Sequence, residues 1–388
     1  MAEEKKAKSD SKFDEHGREK CECKVCGKFF HRLDVHLADK HGLSSEEYKK
    51  KHPGAKILSE AAEVQDRKKA EKSADVSPSV DAVDDKTKPM RFGAASLFER
   101  TDLKADEIIW VPQHDEDWVA GDTEMGHMNA LALAMEDDLN VLIVGPPGLG
   151  KSTLVRELAS LVNQPVRRFQ MDGEIRKSDL IGNKEIIVDP KTGQAITSYV
   201  DGPLIEAAEL GHWAILEEFD SSPSAVTFAL HSMLENPRQY FVAGSKRPVE
   251  FNKKFRVIAT ANTLGYGDET GLYAGTAPMN EALLDRFGLV IRMEYPKKDN
   301  EVSIIVSRTK IKAEIARIMV DVATKVRESQ KQEQMMTSLS PRRLINWAHV
   351  AKRLGNSTQA AALTITNKLP PNDSKIVAEL VQRHFGGK

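Results

Sequence analysis

The sequence predicts an α/β fold, a parallel sheet with flanking helices and β-hairpin inserts, with a helical C-terminal lid behind it and a small module built on cysteine and histidine in front. Three observations predict it. The β-branched run Asn140-Val141-Leu142-Ile143-Val144 passes through a glycine loop into a stretch, Ser152 to Leu161, with apolar residues at helical spacing. After Pro296 the pattern is helical to the end. The three cysteines, Cys21, Cys23 and Cys26, fall within six residues, where a disulfide framework makes no structural sense and metal ligation does.

The elements follow in chain order. Residues 1–20 mix Lys, Glu, Asp and Ser and cannot bury enough surface to order themselves, so a disordered tail is expected. The tail lacks an apolar stretch, so no secretory signal is expected and the predicted location is cytoplasmic. Residues 21–58 form a compact module. Residues 59–109 are linker and lead-in, rich in Ala, Ser, Asp, Lys and Pro as far as residue 90, with an irregular stretch from Phe92 to Trp118. The α/β domain is placed at 110–296, with a helix over Thr123 to Met135 and further strands at Trp213 to Leu216 and Arg256 to Thr260. Their unbroken apolar character suits a parallel sheet buried on both faces. The lid occupies 297–388, where Ile304, Ile305, Ile311, Ile315, Ile318 and Met319 precede a second amphipathic stretch, Pro341 to Leu354.

Composition sets limits on function. No apolar run approaches the roughly 18 residues of a membrane span, so no membrane role is expected. A net charge of -2 argues against a surface built throughout to coat nucleic acid, while leaving room for a local basic patch.

The glycine loop carries the chemistry. Gly145-Pro146-Pro147-Gly148-Leu149-Gly150-Lys151-Ser152-Thr153 has the spacing of a phosphate-binding loop and lies between a strand and a helix, the context that motif requires. Backbone N–H groups and the helix N-terminus face the phosphates, Lys151 reaches the β- and γ-phosphates, and the Ser152 hydroxyl ligates Mg2+. ATP with Mg2+ is the expected ligand. A second acidic station follows in Ala214-Ile215-Leu216-Glu217-Glu218, where Glu217 is expected to hold Mg2+ and Glu218 to act as catalytic base. The usual pair is Asp-Glu. The extra methylene of Glu217 displaces its carboxylate by about 1.5 Å, which a water-bridged ion tolerates. Asn262, at the end of the next strand, is placed to sense the γ-phosphate. Arg286, in Leu283-Leu284-Asp285-Arg286-Phe287, is assigned as the arginine supplied to a neighbouring subunit, and Arg342, with Arg343 as its alternate, as the lid arginine that touches nucleotide.

With these residues in place, the stretch from about Trp110 to Phe385 resembles the AAA+ subunit of the aerobic cobalt chelatase, the CobS family, within the MoxR and magnesium-chelatase branch. The run Thr260 to Thr276, with Gly265, Tyr266, Gly267, Asp268 and Gly275, is the most specific part of that resemblance. Asp299-Asn300-Glu301-Val302, Ser340-Pro341-Arg342 and Asn346-Trp347-Ala348 resemble that family's lid. The branch implies two hairpin inserts, here Asp179 to Leu204, turning at Asp189-Pro190-Lys191-Thr192-Gly193, and Tyr240 to Phe251. It also implies a homo-oligomeric ring, commonly a hexamer, that hydrolyses ATP to remodel a partner complex. The partner implied carries a von Willebrand A metal-adhesion domain.

Cys23-x2-Cys26-x9-His36-x4-His41 offers two thiolates and two imidazoles for tetrahedral Zn2+. The short spacer and His41-Gly42-Leu43-Ser44-Ser45-Glu46-Glu47-Tyr48 resemble the Ros/MucR-type finger, with Phe29, Phe30, Leu33 and Leu37 as its core and Cys21 and His31 as spare ligands. Lys24, Lys28, Arg32, Lys40 and Lys49-Lys50-Lys51 make the module locally basic, so a finger-directed motor on DNA or RNA is the alternative reading.

Overall fold

The computed structural model of the chain describes residues 12, 19–31, 33–42, 44–53, 55–59, 88–188, 193–263 and 279–386. The chain divides into two compact units, Met1–Asp85 and Lys86–Lys388. Among the described residues no helix is long and apolar enough to cross a membrane.

In the first unit, β1 (Cys21–Glu22) pairs antiparallel with β2 (Phe29–Phe30), and α1 (Leu33–His41) and α2 (Ser45–Lys51) follow. Gly27, at φ +69°, lets the chain turn tightly enough for its N–H to reach the Cys23 carbonyl at 2.7 Å. A capping box starts α2: the Ser44 hydroxyl accepts from the Glu47 N–H, and the Glu47 carboxylate accepts from the Ser44 N–H. Leu33, Leu37, Tyr48 and Ile57 form the core with Cys21 and Cys23. Of the aromatic residues expected there, Phe30 packs at the margin, while half-buried Phe29 stays outside; Tyr48 takes the space and accepts the Lys24 N–H at 2.7 Å.

The second unit begins with a hairpin, β3 (Met90–Phe92) and β4 (Ala95–Leu97), then α3 (Ala105–Ile108) and α4 (Asp122–Glu136). The lead-in that reads as irregular is thus folded from Met90 onward. Phe92, Ala95 and Leu97 are buried against α4 and the sheet, and the Arg100 guanidinium donates to the Gly211 carbonyl at 2.9 Å. Three alternating residues are too short a run to announce a strand.

The sheet is built from β5 (Val141–Val144), then α5 (Lys151–Leu161) and β6 (Val166–Gln170), then β9 (Trp213–Glu217), β12 (Arg256–Ala261) and β13 (Leu289–Arg292). Its order is β13-β5-β12-β9-β6, all parallel. Successive side chains alternate between two cores: Leu142, Val144, Ala214 and Leu216 face one, Val141, Ile143, Trp213 and Ile215 the other. The two edge strands escape the sequence pattern because charged or exposed residues break their apolar runs. Arg167 and Arg168 interrupt β6, and Val290 and Arg292 are exposed in β13.

Between β6 and β9 lie α6 (Lys177–Ile181), a hairpin of β7 (Gly182–Val188) and β8 (Ala195–Asp201), and α7 (Pro203–Leu210). This is the first expected insert; residues 189–192 of its turn lie outside the described residues. After β9 come α8 (Ser224–Leu234) and the second insert, β10 (Phe241–Val242) with β11 (Arg247–Pro248). Arg247 joins the two inserts, donating to Asp201 at 2.6 Å and Glu209 at 2.5 Å. A short helix, α9 (Glu281–Leu284), precedes β13; residues 264–278, with most of the specific run quoted above, lie outside the described residues.

The lid comprises α10 (Lys298–Thr309), α11 (Ala313–Lys331), α12 (Pro341–Leu354), α13 (Ser357–Thr364) and α14 (Pro371–Phe385). Trp347 is fully buried at its centre, its indole N–H donating to the Ser357 carbonyl at 2.8 Å. Glu301 and Arg327 form a buried two-pronged ion pair at 2.8 and 2.6 Å. Asn300 ties the lid to α4, donating to Glu124 at 2.7 Å.

Candidate nucleotide site and metal cluster

The loop between β5 and α5 forms because glycine occupies its positive-φ positions: Gly148 at +78° and Gly150 at +87°. Gly150 caps α5, leaving the first-turn N–H groups without helical partners at the mouth of a cleft. A Cβ on Gly148 would lie 2.7 Å from the Ser340 hydroxyl, so the loop sits directly against the start of α12. The cleft holds about 380 Å3. Pro147, Gly148, Gly150, Lys151, Ser152 and Thr153 line one wall, and Glu217, Glu218, Asn262 and Arg342 line the others. Leu149 instead packs into the apolar core, and Gly145 and Pro146 contribute carbonyls.

Lys151 spans the cleft floor. Its ammonium donates to the Gly145 carbonyl at 2.5 Å, the Pro146 carbonyl at 3.3 Å and the Asn262 side-chain oxygen at 2.9 Å. Burial pulls its pKa from 10.5 to about 8; nearby Asp220 and Glu218 oppose the fall, and Arg342 adds to it. The lysine is therefore a cation short of anionic partners, suited to phosphate.

The two glutamates diverge. Glu217, the last residue of β9, accepts from Arg168 on neighbouring β6 at 2.6 Å. Glu218 takes the left-handed conformation, φ 57° and ψ 42°, a strained geometry for a residue with a Cβ, and the chain then turns through Phe219–Ser221. That break turns a second carboxylate into the cleft where a continued strand would turn it away. Serine hydroxyl and glutamate carboxylate are hard oxygen donors and line one cleft, so the donor set fits Mg2+, with Arg168 competing for Glu217.

The arginines separate as well. Arg342 lines the cleft, whereas Arg343 donates to the Ser338 carbonyl at 3.1 Å. Arg286 is outside the cleft, paired with Glu235 at 2.5 Å and bonded to the Ala282 carbonyl. Beside Thr260 from the specific run, Arg156, Arg168 and Gln170, which belong to no motif read from the sequence, also line the cleft. Their one signal is position on a strand or helix already tied to the loop.

In the first unit, Cys23, Cys26, His36 and His41 place one ligand atom each within 4.8 Å of one another. Cys26 Sγ lies 3.2 Å from His36 Nε2, and His41 Nε2 lies 3.2 Å from the same nitrogen. Two sulfurs and two imidazoles so gathered fit tetrahedral Zn2+. The spare residues stand apart: Cys21 lies in β1, and His31 bonds the Ser59 hydroxyl at 2.8 Å.

The sequence matches the AAA domain of the dynein-related subfamily over residues 140–287 and the CbbQ/NirQ/NorQ C-terminal domain over 301–383. The aerobic cobaltochelatase subunit CobS of Sinorhizobium sp is 32% identical over 262 residues, covering 66% of this chain and 78% of that protein. The chain belongs to the CobS family of AAA+ P-loop NTPases. Midasin of Giardia intestinalis is 25% identical over 281 residues, covering 70% of this chain but 6% of that far longer protein. Among solved structures, a putative ATPase from Cytophaga hutchinsonii aligns with TM-score 0.37 at 21% identity, covering 72% of this chain and 84% of that one. The Thermotoga maritima RuvB Holliday junction branch migration motor aligns with TM-score 0.41 at 15% identity, covering 71% and 72%. The two domain matches together span the cleft, from the strand before the loop to the lid that carries Arg342.

Proposed function

We propose that the chain is an ATP hydrolase, working in a homo-oligomeric ring of six copies that remodels a partner complex. The observation that carries this is the convergence of Lys151, Glu218 and Asn262 in one cleft at the carboxyl ends of three adjacent strands. Lys151 and the loop N–H groups hold the β- and γ-phosphates. Glu218 takes a proton from water as its oxygen bonds the γ-phosphorus; the bond to the bridging oxygen breaks, and ADP leaves with the electron pair. Asn262 orients that water. Ser152 and Glu217 would hold Mg2+, which neutralises phosphate charge when bound. Arg286 acts on the neighbouring subunit's nucleotide, and Arg342 reports nucleotide state to the lid. The family suggests a chelatase-type complex as target and a von Willebrand A domain protein as partner.

Glu218→Gln keeps the size of the side chain and removes the base. Turnover is expected to fall by about 100-fold or more while nucleotide still binds; unchanged turnover overturns the assignment.

In the first unit Cys23, Cys26, His36 and His41 would hold Zn2+, which would supply a structural crosslink. A second reading, recruitment to DNA or RNA, is favoured by exposed Lys49, Lys50 and Lys51 in the last turn of α2. Cys23→Ser is expected to release Zn2+, measured as metal per chain. ATPase stimulated by nucleic acid and lost in that variant supports the second reading; no stimulation removes it.

A further inference from the structure

Asp220 belongs to no motif read from the sequence, yet it is 1% exposed at the edge of the proposed hydrolytic site. One carboxylate oxygen, Oδ2, accepts three hydrogen bonds from the segment that follows β12. The Asn262 N–H donates at 2.9 Å, the Thr263 N–H at 2.9 Å and the Thr263 hydroxyl at 3.0 Å. Its other oxygen, Oδ1, is buried without a hydrogen-bond partner among the described residues. Burying a carboxylate with one oxygen unmatched is costly, and a fold retains such a group only where its other contacts repay the cost.

Asp220 sits two residues beyond Glu218, in the turn Phe219–Ser221 that the left-handed Glu218 begins. The three donors it gathers include the backbone of Asn262, whose side chain meets the Lys151 ammonium at 2.9 Å. One short turn therefore carries the Glu218 carboxylate and grips the strand end that carries Asn262. The β9–β12 ladder fixes the strands themselves, with Ala259 opposite Leu216, but it ends short of both functional side chains. Beyond the ladder, Asp220 supplies the hydrogen bonds that continue the link.

We propose that Asp220 is a positioning residue, which locks Asn262 to the turn bearing Glu218 so that base, sensor amide and Lys151 keep one spacing. The inference rests on the hydrolase reading above. It assigns Asp220 no contact with nucleotide; its effect passes through Asn262.

The test is a double-mutant cycle on the full chain, with Asp220→Asn, Asn262→Ala and the pair, reading kcat, KM and nucleotide affinity. Asn262→Ala is expected to lower kcat. Asp220→Asn is expected to lower kcat by about 10- to 100-fold, the scale of a misplaced group, with affinity within about threefold of the parent. In the Asn262→Ala background, Asp220→Asn is expected to cost less than about threefold, because the group it positions is already gone. Thr263→Val, which deletes one of the three bonds and keeps the shape, should give a smaller kcat loss at unchanged melting temperature. Independent, multiplying losses in the cycle overturn the proposal, as does full activity in Asp220→Asn when Asn262→Ala is impaired. If Asp220→Asn does not fold, full kcat in Thr263→Val overturns it instead. Full activity in Asn262→Ala or Glu218→Gln points to failure of the hydrolase assignment itself, a separate result.

Discussion

Raising the pH past 8 should weaken nucleotide binding through one side chain. Burial lowers the Lys151 pKa to about 8 in the free chain. Phosphates at the ammonium favour its charged form and raise that value again, so binding above pH 8 must take up a proton. The affinity is then flat below pH 8 and falls with the charged fraction above it. At pH 9 about one chain in eleven carries the charged lysine, giving about tenfold weaker binding. The phosphates are already fully ionised in this range and supply no competing slope. The same lysine affects the free chain with the opposite sign. Its folded value lies below the ordinary 10.5, so the cost of burying the charge is full below pH 8 and is relieved as pH rises toward 10.5. Calorimetric titration of nucleotide at pH 7, 8 and 9 measures the effect, with proton uptake read from buffers of different ionisation heat. Affinity that is level from pH 7 to 9, with no proton uptake, would mean that Lys151 stays charged throughout and does not control the pH dependence.

Two further outcomes follow from contacts elsewhere in the second unit. Gly148→Ala places a Cβ at φ +78° and 2.7 Å from the Ser340 hydroxyl, so it should cost at least about 1 kcal/mol in denaturant unfolding and weaken nucleotide binding by displacing the lid; a variant as stable as the parent counts against the loop–lid contact. Arg327→Ala leaves Glu301 buried without its partner and should cost about 3–5 kcal/mol, seen as a lowered melting temperature. Arg327→Ala together with Glu301→Ala should recover part of that loss, and no recovery would mean that packing, not the charge, sets the cost.

The central strands, the phosphate-binding loop and the amphipathic lid are legible along the chain, because each is written in neighbouring residues. Four successive buried residues mark β5, and the spacing of glycines around Lys151 marks the loop whatever lies beyond it. The residues of the cysteine–histidine cluster were legible for the same reason, since a turn and one helix bring them together. Edge strands β6 and β13 were hidden by their solvent-facing arginines, and the β3–β4 hairpin by its brevity.

How the site closes depends on contacts between residues far apart in the chain. Which of Arg342 and Arg343 lines the cleft depends on the direction in which α12 leaves its cap, and adjacent positions in a sequence carry no direction. The pairing of Arg168 with Glu217 joins residues 49 positions apart, and that of Asp220 with Asn262 joins residues 42 apart, through strands brought together by the parallel order β12-β9-β6. Parallel neighbours are connected by long crossovers, so side chains at their carboxyl ends meet at separations that no local pattern records. The chemistry of this cleft is local in its parts and long-range in its assembly.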